Sequence, residues 1–392
     1  MNPDTNNQNT PVKALATMAL LGGLILSVGA LMSTMRVWSN LLIGLFFLVS
    51  VGLGGSLFIA LTTISGASWH RGLLRIPRAL ASTLPITSLG LLVVLLLQMN
   101  EYAWHHHGHG DAGTYWFKEW WTNPSFWAIR TTAYLAIWVL LSRALLAVSA
   151  ERKPNSPSPL KGPVAALFLV VYAVTFSLAS CDWFMLLDPM WFSTIWGVYH
   201  FAGMFQSTLA VMIIVGLVMR SRGGPLKDEF TIDHLHDLGR LLLGFSCFWM
   251  YIWFSQYMLI WYTNIPEETS YFDLRTAGPW GPVMVASIIL NWIIPFFVLL
   301  PRPCKRSSSV MMKIAVVVLI GRAVDLYTIV FPRKVEGGPV FGLWEAAAAF
   351  CLIGCFWLLI SRAIANSYHQ TSGKPKPTTA SHPCPAGALP NA

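Results

Sequence analysis

Apolar residues in this chain come in long unbroken runs, not in the alternating or three-to-four-residue stripes of water-soluble strands and helices. A helix that crosses a bilayer needs roughly 20 such residues at about 1.5 Å each. By that measure the runs predict ten transmembrane helices, at residues 12–32, 41–64, 83–100, 125–148, 162–187, 191–219, 238–262, 280–300, 310–332 and 340–362. The polar stretch 1–11 and the Pro-, Ser- and Thr-rich stretch 366–392 predict disordered tails around one transmembrane domain, 12–365. No small-residue cleavage site follows the first run, so it reads as a retained helix and not a signal peptide. Residues 66–82 are too basic to span and read as an amphipathic segment lying in the interface.

Composition agrees with an all-α integral membrane protein. Of the 392 residues 55% are hydrophobic and 11% charged, and the mean hydropathy is +0.57. A soluble domain carries roughly 25% charged residues, so this chain lacks the charge to cover itself in water. Its 18 Trp and 22 Phe suit aromatic belts at two interfaces. The net charge of +9 is spread between apolar runs, which makes it a topology signal and argues against a nucleic-acid partner. If both termini are cytoplasmic, nineteen of the 26 Lys and Arg face the cytoplasm, six face the other side, and Arg322 lies within the membrane.

The six cysteines form no Cys-x-x-Cys, and His200 is the one histidine deep within a predicted span. Covalent haem, iron–sulfur clusters and a bis-histidine haem are therefore not expected on this chain. Four histidines, His105, His106, His107 and His109, crowd the loop after the third run, and an acidic stretch, TNIPEETSYFDLR, follows the seventh. Both loops are expected outside the membrane, opposite the termini.

Ionisable groups inside spans are costly, about 2.5–3.5 kcal/mol each, and mark candidate sites. They are Asp182, His200, Arg322, Asp325 and Glu345, with Asp188 at the outer end of the fifth span. Helical rise places Asp182, His200, Asp325 and Glu345 at a similar depth, roughly 9–12 Å below the outer ends. Two readings fit. In one, Arg322 and Asp325, neighbours on one helix face, neutralise each other as part of a structural ion network. In the other, carboxylates and an imidazole from four helices form a proton-handling or quinone site. At the inner mouth of the seventh span, Asp233 is a candidate N-cap, and His234, His236 and Asp237 are candidate proton-entry groups. From there Cys247, Tyr251, Ser255 and Tyr262 follow on one helical face, which suits proton passage or simple helix packing.

Two stretches carry a family likeness: CDWFMLLDPMWFSTIWGVYHFAG at 181–203, and FTIDHLHDLGRLLLGFSCFWMYIWFSQYMLIWYTNIPEETSYF at 230–272. Both resemble the F subunit of alternative complex III, a quinol-oxidising complex, within the polysulfide-reductase NrfD-like family of membrane anchors. A looser likeness includes Lys118, Asn123, Phe126 and Arg130, while the histidine-rich loop departs from the family's short acidic-proline turn. The resemblance implies two four-helix bundles plus two peripheral helices in a bacterial inner (cytoplasmic) membrane. It implies as partners a second NrfD-like membrane subunit, an iron–sulfur subunit and c-type cytochrome subunits, which carry the clusters and haem c. This chain would bind no redox cofactor. Its role would be assembly and proton translocation coupled to quinol oxidation, with direct quinone binding as the alternative. A stand-alone secondary transporter is a further alternative, for which no internal repeat is evident.

Overall fold

A backbone in lipid has no water to bond, so a spanning segment must satisfy its own hydrogen bonds, which a helix does. The computed structural model describes residues 4–32, 35–67, 69, 71–99, 120–149, 159–188, 191–221, 229–335 and 337–372. Among these residues helix predominates and no strand occurs. The histidine-rich loop with His105 to His109 lies outside the described residues, as do Lys118 and the chain beyond Ser372.

The helices follow the apolar runs. They are α1 (Asp4–Leu31), α2 (Met35–Ile64), α3 (Arg75–Ser82), α4 (Leu84–Leu97), α5 (Pro124–Ser149), α6 (Lys161–Trp183) and α7 (Trp196–Ser221). Then come α8 (Ile232–Thr263), α9 (Pro266–Thr276), α10 (Gly281–Ile288), α11 (Ile294–Leu299), α12 (Arg302–Arg306), α13 (Ser308–Val330) and α14 (Leu343–Ser372). Taking α3 with α4 and α10 with α11, nine helices among the described residues are long and apolar enough to cross a membrane. The chain is thus a multi-pass membrane protein. Helix α13 is also 23 residues long but carries three charged residues, Lys313, Arg322 and Asp325.

Several boundaries differ from the sequence reading. Helix α1 begins inside the expected polar tail, and α14 continues past residue 365. Within the segment expected to lie in the interface, residues 75–82 form α3, which runs on into α4 as the third apolar span, Arg75–Leu97. Its apolar residues Ile76 and Leu80 are fully buried against α2. Gly55 permits that approach, because a Cβ there would lie 2.6 Å from the Pro77 carbonyl oxygen. The arginines gather at the helix start, where Arg75 pairs with Glu229 at 3.1 Å and Arg78 donates to the Ser149 carbonyl.

Helices α2 and α7 form the centre, and most of each apolar stretch is buried. Helix α2 packs on α3, α4, α6 and α7, and α5 joins α4 and α6. Helix α7 packs on α8 and α13, α10 on α13, and α11 on α8, while α1 lies chiefly on α14. Ion pairs join helix ends that an alternating path brings to one side. Arg36 at the start of α2 meets Glu345 at the start of α14, and Asp233 at the start of α8 meets Arg306 on α12.

Candidate functional site

Three of the ionisable residues expected in the buried layer come together between α7 and α13. Arg322 and Asp325 form an ion pair within α13, and the Tyr199 hydroxyl donates to the other Asp325 oxygen. The second Arg322 nitrogen lies 3.4 Å from His200 Nδ1. All four residues are buried. A guanidinium only donates, so Nδ1 is the accepting nitrogen in this long contact and the ring proton sits on Nε2. That Nε2 has no hydrogen-bond partner among the described residues. It lies in an aromatic box in which Phe184 stacks on the imidazole at 4.9 Å, and Trp196 and Phe46 meet it edge-on at 4.8 and 5.6 Å. The arrangement joins a carboxylate, a phenol, a fixed cation and an imidazole, groups that can hold or pass protons.

The other expected members of the layer lie elsewhere, each in its own ion pair. Asp182 accepts from Arg130 at 3.1 and 3.0 Å, from Trp121 Nε1 at 2.8 Å and from Tyr134 at 3.2 Å. Arg130 also donates to the Trp121 carbonyl and lies over that residue's ring at 3.9 Å. Both Asp182 oxygens are occupied, as in a clamp tying α5 to α6. Asp188 pairs with Arg275 at 3.2 Å and with Arg333. Arg275 further donates to the Tyr271, Thr328 and Ile329 carbonyls, which fixes α9 against α13. Glu345 pairs with Arg36 at 2.6 Å on the α1–α2–α14 side and accepts from Gly342 N. Similar depth did not bring these groups together, because depth along a helix says nothing of the direction a side chain faces.

The expected entry groups are also dispersed. Thr231, not Asp233, caps α8, and His234 completes the capping box while its Nε2 meets the Trp69 carbonyl at 2.8 Å. His236 is half-buried, with no partner for Nδ1 among the described residues, and Asp237 pairs loosely with Arg240 at 3.7 Å. Tyr251 is 65% exposed and Tyr262 is 81% exposed, so the face they share points out of the chain.

Uncharged residues extend the buried polar layer beyond the charges that mark it in the sequence. Gln206, nearly two turns along α7 from His200, donates to Ser246 Oγ at 3.0 Å and to the Asn291 carbonyl at 2.8 Å. Asn291 lies in a π-helical turn, Ile289–Ile293, that joins α10 to α11. Pro295 has no N–H, so the carbonyl four residues back loses its α-helical donor and Gln206 supplies one. Asn291 Nδ2 in turn donates to the Ser287 carbonyl at 2.9 Å. A Gln and an Asn interrupting apolar runs were visible in the sequence and could have marked this cluster.

Among the described residues no group of three or more His, Cys, Asp or Glu side chains gathers as it would around a metal. No known family model matches the chain, and no curated protein matches it either.

Proposed function

We propose that this chain is a cofactor-free membrane subunit of a quinol-oxidising electron-transfer complex, similar to the F subunit of alternative complex III. On this reading it sits in a bacterial cytoplasmic membrane with ten spans, α13 added to the nine above as the ninth in chain order, and both termini in the cytoplasm. The helix contacts support two four-helix bundles, one from α2 to α6 and one from α7 to α13, with α1 and α14 as a peripheral pair. Clusters and haem belong to partner subunits, and this chain supports assembly and moves protons.

The observation that carries the proton role is the buried Tyr199–Asp325–Arg322–His200 network with its unpartnered imidazole Nε2. Arg322 holds a fixed positive charge beside a carboxylate and an imidazole, so a proton arriving at either changes the charge balance of the whole group. A crevice of about 10 Å³ touches Tyr199 and Gln256. That is room for about one water molecule and not for a quinone ring, which favours proton relay over direct quinone binding at this network.

The test is purification from the native membrane in mild detergent, followed by reconstitution. Co-purifying haem-bearing subunits and quinol-dependent proton translocation are expected. Asp325→Asn is expected to lower the protons moved per electron while leaving quinol oxidation in place. A chain that purifies alone and moves a solute, or an Asp325→Asn complex with full proton translocation, overturns the proposal.

A further inference from the structure

At the end of α8 the chain turns through Asn264, in the left-handed conformation, and enters α9. The two helices enclose an open groove of about 400 Å³, within the size range of small-ligand clefts. Tyr257 and Trp261 of α8 and Phe272 of α9 line it with aromatic rings. The Tyr257 and Phe272 rings stand at 84° with centroids 5.2 Å apart, so they meet like two walls of a box.

The remaining lining is polar and electronegative. Asp273 is exposed and takes part in none of the ion pairs among the described residues. The end of α8 carries the negative end of the helix dipole; the Ile260 carbonyl is satisfied by Asn264 N–H and the Thr263 hydroxyl, and the carbonyls after it lie beyond the helical ladder. Among the described residues no Lys or Arg lines the groove. The one cation of α9, Arg275, is turned inward and bound to Asp188 and three carbonyls. Aromatic faces, a free carboxylate and a helix C-terminus all favour a positive group.

We infer that this groove binds the ammonium headgroup of a zwitterionic membrane lipid. The lipid source follows from the surroundings. From the groove α8 continues as a spanning helix whose Phe254 and Met258 are exposed and follow Trp261 at helical spacing, an apolar track for acyl chains beside the headgroup. The inference is independent of the proton role proposed above.

The experiment is native mass spectrometry of the delipidated full chain with phosphatidylethanolamine, phosphatidylcholine or phosphatidylglycerol added back. At least one ammonium lipid is expected to be retained about tenfold better than phosphatidylglycerol, and Asp273→Asn to lower that retention about tenfold. Trp261→Ala is expected to act in the same direction. Asp273 is exposed and outside the ion pairs, so its variant keeps the fold, which an unchanged melting temperature verifies. Equal retention of phosphatidylglycerol, or an Asp273→Asn chain that binds as before, overturns the inference. Tetramethylammonium displacing the lipid at equal concentration would overturn the lipid source.

Discussion

Gly203 lies directly against the Arg322 guanidinium: a Cβ there would come within 2.6 Å of Cζ. The missing side chain on α7 therefore sets where the cation of α13 can sit, and through it the Asp325 and His200 contacts. Gly203→Ala is expected to push the guanidinium away and weaken a buried ion pair, at about 3 kcal/mol. Thermal unfolding in detergent measures this. An Arg322→Lys change in the same chain should relieve part of the clash, so the double variant is expected to lose less than the sum of the two singles.

Gln206 is expected to matter because of Pro295. With Gln206→Leu, the Asn291 carbonyl loses the donor that replaces the missing proline N–H, at a cost of about 1–3 kcal/mol. Pro295→Ala returns a backbone donor to the helix, so Gln206→Leu should cost clearly less in that background. A double-mutant cycle on unfolding free energy reads the coupling, and strict additivity would show that the two residues act separately.

The spans were legible because a bilayer fixes helix length, and apolar runs report it directly. The partners of the buried charges were not. Arg130 and Asp182 are 52 positions apart and Arg36 and Glu345 are 309 apart, and which helices touch is decided by packing that no local spacing encodes. The face through Tyr251 shows the same limit, since a helical period defines a stripe but not whether it meets protein or lipid. Segment 66–82 misled for another reason. Arg75 and Arg78 sit at the start of a spanning helix and reach Glu229 and the Ser149 carbonyl, while its apolar residues pack against a glycine on α2 whose closeness only the fold reveals.

Asp182 and Asp325 should separate assembly from proton movement. Asp182 has both oxygens filled by Arg130, Trp121 and Tyr134, so Asp182→Asn leaves a buried Arg130 charge unbalanced and should cost about 3–5 kcal/mol. Its expected result is a lower yield of folded protein with normal coupling in the fraction that assembles. Glu345→Gln, at a half-buried pair, should cost under about 1 kcal/mol and leave coupling intact. Proton-to-electron ratios of purified, reconstituted complexes distinguish these from Asp325→Asn, and a coupling defect in Glu345→Gln would contradict the separation of the sites.

Alkaline pH should loosen the α9 end of the molecule. Tyr271, outside the spanning helices, is buried, stacks on Trp191 at 4.0 Å and lies under the Arg275 guanidinium at 3.5 Å. Burial pushes its phenol above the ordinary value; the Arg275 charge opposes that shift, and Asp188 and Asp325 add to it. An unfolded tyrosine ionises near pH 10, so the folded chain holds this proton more tightly than the unfolded one does. The contribution to stability is whole below about pH 10 and declines as the pH rises from there towards the folded-state value, by up to about 1.4 kcal/mol per pH unit. Denaturation followed between about pH 8 and pH 11 should show this slope, and Tyr271→Phe should reduce it by removing the ionisable group. An identical slope in that variant would assign the alkaline loss to other groups.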